Sequence, residues 1–549
     1  MTLARRALGG MASFVLLGAT LWSAGGLAGG APGAGNVATA SRPEVAVHPA
    51  ALDQLAVAAE PYSTAECLLG LKVACYTPSQ LQQAYAEGPL FQNGIDGRGQ
   101  TIAIVDAFGS PTLASDLGTF DSAFGLPDPS LQVIAPDGPI PALSPQDPNY
   151  QTMIAWAGET TLDVEWAHVI APGASILVVE TPVAETIGAA GFAQIDQAEQ
   201  YVVDHHLAGV ISQSFNTAEE TFPNRGSIER LRGAYRDAAH NGVTIVSAAG
   251  DNGTTSPANA DGSLLYTHPV VNWPASDPLV TGVGGTELSL DATTGTSTST
   301  VWNDGNNPAV AGLFGKPAPI ALAGGGGLSS VFDRPPYQRG VSDVVGHSRG
   351  VPDVSMNAAC TSLVQVYESF AKAGWYFECG TSESAPLFAG IVALADQVAG
   401  HPLGLLNPAL YALSAAGAAG IVDVTSGNNT VSFSQGGQTV TVNGATAAPG
   451  YDLASGVGTV DAAKFVPELA AAMSALTGCN RPGPGDHGPG DHGHGDHGHG
   501  DQGHHENPGT QGCGQDGQGG HGDNDGQGGP PDTPALASWV DNLLGSLRG

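Results

Sequence analysis

The chain has 549 residues, 42% of them hydrophobic, enough to bury a large core, so a peptide-sized or wholly disordered protein is excluded. Its 51 Asp and Glu face 17 Lys and Arg, a formal charge of −34, which would repel a nucleic acid along most of the surface and argues against that partner. With 79 glycines and 39 prolines the chain is rich in turns and carries a biased segment.

Residues 1–40 read as an export signal: Arg5 and Arg6, an apolar stretch from Ala7 to Leu27, then small residues ending in Ala38-Thr39-Ala40, a signal-peptidase type of cleavage site. The mature chain is then expected to start at Ser41, and no later run approaches the ~20 apolar residues that span a bilayer. The expectation is a secreted protein with no stable membrane span once the signal is removed. Six cysteines suit that oxidising compartment, and local pairing of Cys67 with Cys75, Cys360 with Cys379 and Cys479 with Cys513 would close three loops without crossing the core. No C-x-x-C occurs, which argues against cysteine-bound zinc.

Residues 41–75 form a short Ala-rich lead without clear periodicity. From Tyr76 to Leu476 short β-branched runs alternate with helical stretches. Residues 101–105, 175–179, 209–212 and 243–247 are near-continuous apolar runs, the pattern of strands buried on both faces of a parallel sheet. Helical spacing lies between them over 193–205 and 228–241, which gives strand-helix-strand units. The predicted fold is α/β, a doubly wound, mostly parallel sheet with helices on both faces and sites at the carboxyl ends of its strands. Residues 477–534 then become Gly, Pro, Asp, His and Gln, a composition that cannot offset its ordering entropy and predicts a disordered tail. Leu536, Val540, Leu543, Leu544 and Leu547 give residues 535–549 the spacing of one short amphipathic helix.

Three local patterns stand where such a sheet places chemistry. Gly380-Thr381-Ser382 precedes an apolar helix over 387–398, so the Ser382 hydroxyl would sit on a tight turn at a positive helix end, suited to a nucleophile; the bland reading is an ordinary helix cap. Glu159 and Asp163 lie four apart, on one helix face, amid Leu162, Val164 and Trp166, where burial would make them share a proton; alone, they would pass for a solvated acidic face. Ser247-Ala248-Ala249-Gly250-Asp251 follows a buried strand and puts Asp251 at its carboxyl end.

Together these positions resemble the sedolisin family of serine-carboxyl peptidases, whose fold is subtilisin-like, over residues 76–476. Further stretches carry the resemblance: 272–276 with 280–286, 324–330 and Arg349-Gly350-Val351-Pro352-Asp353-Val354. The resemblance implies Ser382 as nucleophile, Glu159 as base, Asp163 as its partner and Asp251 in the oxyanion hole, acting on protein or peptide substrates in acid. It places Asp106 and Phe215 where the family extends its network with a Glu and a Trp. It also implies one structural Ca²⁺ held by Asp423, the Val424 carbonyl, the carbonyls of Ala448 and Gly450, and Asp452, with Ala448 in place of a glycine. A subtilisin proper needs a catalytic His followed by Gly-Thr, and no His-Gly-Thr exists here; His168 is read as structural. Members carry a long folded propeptide, whereas only residues 41–75 separate the expected cleavage site from the body. The expected state is a monomer. The rival reading is an inactive secreted binding protein whose tail, with eight of the 16 histidines, captures metal.

Overall fold

A computed structural model describes residues 48–49, 60–184, 189–259, 262–291 and 294–477. The expected signal, the Gly/His/Asp-rich tail, the Cys479–Cys513 pair and the C-terminal amphipathic segment lie outside the described residues. Among the described residues no helix is long and apolar enough to cross a membrane.

Eight strands form the central sheet, and all four apolar runs picked out from the sequence belong to it. Its order is Ser297–Val301, Thr281–Leu290, Thr244–Ala248, Val210–Gln213, Thr101–Ala107, Ser175–Thr181 and Leu131–Ile134, with Val354–Asn357 also paired to Thr281–Leu290. Pairing is parallel throughout except at the edge strand Ser297–Val301. The apolar runs are continuous because both faces are covered. Ile102, Ile104, Ile176, Val178, Val210 and Val246 pack on one face against Ile170, Leu387, Phe388 and Ile391. Ala103, Val105, Leu177, Val179 and Ile211 pack on the other against Phe192, Ile195, Val202 and Tyr235. A one-residue register slip would exchange the two sets, so two differently shaped helical layers hold each strand in place.

On the first face lie two helices, Tyr150–Ile170 and Thr381–Ala399. A Cβ at Gly390 would stand 2.6 Å from the Ile170 Cβ, so only glycine permits the close crossing of this pair. On the second face, the helix expected over 193–205 runs from Ala189 to Asp204, starting earlier than the apolar spacing shows, but residues 228–241 do not make one helix. Arg225–Glu229 and Gly233–Asn241 are separate, because between them the Arg232 guanidinium turns inward to Asp277 and Glu229 while Asp196 Oδ1 accepts from the Ala234 N–H at 2.9 Å. Periodicity sees apolar spacing and misses such a tertiary ion pair.

The residues just before Tyr76 are structured. Helix Thr64–Gly70 is closed by a capping box of Ser63 and Glu66, and Ala74–Tyr76 pairs in parallel with Ser362–Glu368. Cys67–Cys75 and Cys360–Cys379 form as expected and flank this small sheet. Elements this short leave no periodicity to read.

Arg349 and Asp353 form a fully buried ion pair. Asp353 also accepts from the Tyr411 hydroxyl and from the Gly282 N–H, each at 2.8 Å, which fastens this turn to the strand Thr281–Leu290. Asp353→Ala would leave a buried guanidinium uncompensated and should lower the unfolding free energy by about 3–5 kcal/mol, measured by denaturant titration. A loss below about 1 kcal/mol would show that the pair is dispensable.

Candidate active site

The helix Tyr150–Ile170 is buried on all sides from Trp156 onward, which removes Glu159 and Asp163 from water together. The sequence pattern suggested a half-covered acidic face; the structure encloses both carboxyls. Burial pushes Asp163 well above the usual carboxylate range, and the charges of Asp106 and Glu159 add to it. The Ser214 hydroxyl opposes the shift by donating to Asp163 Oδ1 at 2.8 Å. Two such groups on one face cannot both ionise at low cost.

Ser382 stands in the first turn of the helix Thr381–Ala399, fully buried, and among the described residues its Oγ has no hydrogen-bond partner. Its proton is therefore not committed to a structural acceptor. Pro386, inside the same helix, has no N–H to give the Ser382 carbonyl four residues earlier. That carbonyl accepts instead from Ser214 Oγ at 3.3 Å. One hydroxyl thus ties the helix of Glu159 and Asp163 to the turn of Ser382. Ser214 carries no motif of its own; the signal that could find it is its place directly after the buried strand Val210–Gln213.

Asp251 follows the strand Thr244–Ala248 and packs against the turn of Thr381 and Ser382. The Thr381 N–H and hydroxyl donate to Asp251 Oδ1 at 2.7 and 2.8 Å, and the Gly250 N–H donates to Thr381 Oγ1 at 3.0 Å. Both donors fall on one oxygen. Oδ2 is buried and has no partner among the described residues, and burial raises Asp251 to about 7 despite the two bonds from Thr381. Protonated on Oδ2, this carboxyl would be a hydrogen-bond donor held on a fixed loop. Two of the stretches that carry the resemblance, with Ala323 just before one of them, hold that loop: Asn272 Nδ2 donates to the Ala249 carbonyl at 3.1 Å, Gly325 N to Gly250 O at 2.7 Å, and Ala323 N to Asp251 O at 2.9 Å.

Asp106 lies in the central strand Thr101–Ala107, buried, and is pushed up to about 7, chiefly by burial. Phe215 brings no polar group; it packs against Trp156 and Phe192 with ring centroids 6.3 and 6.1 Å apart. His168 points away from the site. Its Nε2 meets the Pro127 carbonyl at 2.8 Å and Asp121 at 3.4 Å, and burial lowers it to about 4, so it is the structural histidine expected. Glu383, next to Ser382 in sequence, accepts from Asn357 Nδ2 at 2.7 Å.

The proposed calcium residues meet around one turn. Gly450 N donates to Asp423 Oδ2 at 2.8 Å and Ala448 N to Asp452 Oδ2 at 2.9 Å, while Ser455 Oγ reaches the Val424 carbonyl at 3.4 Å. Among the described residues no cluster of three or more His, Cys, Asp or Glu forms a metal site. The donor set here is two carboxylates and three backbone carbonyls, all hard oxygens, which suits Ca²⁺ rather than a transition metal.

The Subtilase family model matches residues 153–464. Kumamolisin of Bacillus sp. (strain MN-32) is 34% identical over 365 residues, covering 65% of this chain and 58% of the relative. Sedolisin of Pseudomonas sp. (strain 101) is 30% identical over 370 residues, covering 66% and 57%. The chain thus spans less than two thirds of the length of these relatives. The solved structure of Pseudomonas sedolisin complexed with two molecules of pseudo-iodotyrostatin superposes with a TM-score of 0.58 at 25% identity, covering 73% of this chain and 99% of that one.

Proposed function

Because the chain belongs to the subtilase family, in its sedolisin branch of serine-carboxyl peptidases, we propose that it is a secreted endopeptidase that works in acid through Ser382, Glu159, Asp163 and Asp251. Ser382 Oγ attacks the scissile carbonyl carbon as Glu159 removes its proton, and Asp163 orients Glu159. Asp251, neutral, donates from Oδ2 to the oxygen on which negative charge develops. Collapse expels the amine, which takes the proton from Glu159, and water repeats the sequence on the acyl-enzyme.

The observation that carries this reading is the arrangement at Asp251: both donors from Thr381 fall on one oxygen, the other has no partner among the described residues, and burial favours the neutral carboxyl, which then donates from Oδ2. The test is digestion of a denatured protein at pH about 4 beside Ser382→Ala. Fragments from the native chain alone support it; fragments from both, or from neither, sink it.

The disulfides Cys67–Cys75 and Cys360–Cys379 support the extracellular site of action. Asp423 and Asp452, with the carbonyls of Val424, Ala448 and Gly450, would hold Ca²⁺, whose contribution is to neutralise two carboxylates on one turn. A ligand bound only by the folded form stabilises it by mass action. EGTA should therefore lower the melting temperature of the native chain and leave that of Asp452→Ala little changed. A native melting curve indifferent to EGTA would remove the site.

A further inference from the structure

Beside the acid helix the sheet opens a cavity of about 230 Å³ that the proposed reaction does not use, lined in part by Phe108, Ser110, Ile140, Leu143, Met153 and Glu180. Its lining is linked to the elements of the site along the chain and through the sheet. Phe108 and Ser110 follow Asp106 in the chain, Glu180 pairs in register with Asp106 on the neighbouring strand, and Met153 precedes Glu159 on the acid helix by about 9 Å at ~1.5 Å rise per residue. Apart from Glu180 and Ser110 the lining side chains are apolar. Ser110 is 7% exposed, and its Oγ has no partner among the described residues. A Cβ at Gly109 would lie 1.7 Å from Glu180 Oε1, so the missing side chain there is what lets the carboxyl reach this wall.

We propose that this cavity is a substrate subsite for a cation on an aliphatic stem, a lysine or arginine side chain, with Glu180 as the specificity-determining carboxylate and Ser110 as a second acceptor. A cavity of this size has room for one long side chain and not for a second folded segment. The apolar collar covers methylene groups while the head meets the polar end. Burial raises Glu180 to about 7, so the empty subsite is neutral in acid. A bound cation favours the ionised form, and the preference for it must therefore grow with pH. Asp106, across the strand pair, is the ionisable group that interacts with Glu180. The strand on its other side, Leu131–Ile134, carries none, and Asp196 and Glu199 of the helix Ala189–Asp204 interact with each other.

The inference rests on the peptidase reading, and one experiment separates the two. Acetylated peptides differing only in lysine or norleucine, placed in turn at each position around the scissile bond, are compared by kcat/KM at pH 4 and pH 6.5. At one position the lysine-to-norleucine ratio should rise about threefold or more between these pH values, for a bound cation that lowers the Glu180 pKa by about one unit or more. In Glu180→Gln that rise should vanish. A ratio flat with pH at every position overturns the subsite on the native chain alone, whether or not Glu180→Gln folds, and a rise that persists in Glu180→Gln overturns the role of Glu180. A chain that cleaves none of the peptides refutes the peptidase reading and the subsite with it, whereas cleavage with a flat ratio refutes the subsite only.

Discussion

Activity on a protein substrate should be highest well below neutral pH and should fall, not level off, as pH approaches 7. The acid limb reports the base: a carboxylate has an ordinary pKa near ~4.3 against ~6.5 for histidine, so Glu159 accepts a proton where a histidine would already be charged. The alkaline limb reports Asp251, which titrates at about 7 because it is buried. Above that value the donor becomes an anion facing the developing oxyanion, and stabilisation turns into repulsion. Ser382→Ala and Glu159→Gln should each cost about 10³-fold or more in kcat, as loss of a nucleophile or base does in serine peptidases generally. Asp251→Asn keeps a donor, so it should lose least, about 10²-fold, and its profile should lose the alkaline fall. A pH-rate series from about 2 to 8 on the four proteins checks this. An optimum at or above neutral pH, or an Asp251→Asn profile with the native alkaline limb intact, would falsify the assignment.

The folded state itself should be more stable in acid than in alkali. Asp106 and Asp251 titrate at about 7 in the fold against an ordinary 3.8, both through burial. Glu87, Glu199 and Glu383 are displaced upward by the same cause. A raised pKa means that the folded form binds protons more tightly than the unfolded one. The stabilisation is complete below the unfolded value near ~4 and disappears as pH rises through about 7. At ~1.4 kcal/mol per tenfold in proton affinity, Asp106 and Asp251 each contribute roughly 4 kcal/mol. His168, lowered to about 4, works against this as pH falls below its ordinary value, but it is one group against several. Acid also relieves the self-repulsion of a chain with formal charge −34. Thermal scans from pH 3 to 9 should show the melting temperature highest near pH 4–5 and falling steeply past 7, with a shallower fall in Asp106→Asn. A melting temperature higher at pH 8 than at pH 4 would contradict the buried, protonated state of these carboxyls.

Much of this protein is determined locally. Four apolar runs announced the parallel sheet because a strand covered on both faces needs apolar side chains at every position, whatever packs on it. Gly380-Thr381-Ser382, the Glu159 and Asp163 spacing and Gly250-Asp251 were legible because a helix start, a helical turn and a strand end each place a side chain within a few residues. What the sequence left undecided depends on groups far apart in the chain. The break at Arg232 needed Asp277; the free carbonyl created by Pro386 needed Ser214 to accept from; the neutral state of Asp251 needed an enclosure of its carboxyl that outweighs the two bonds from Thr381. Glu180 gave no local sign, since its meaning lies in the register with Asp106 and in a glycine at 109 that lets its carboxyl approach. Periodicity reports which faces are buried, because hydrophobicity is a property of each residue by itself. Protonation state and donor direction belong to pairs of residues and to the water excluded between them, and only the tertiary structure decides them.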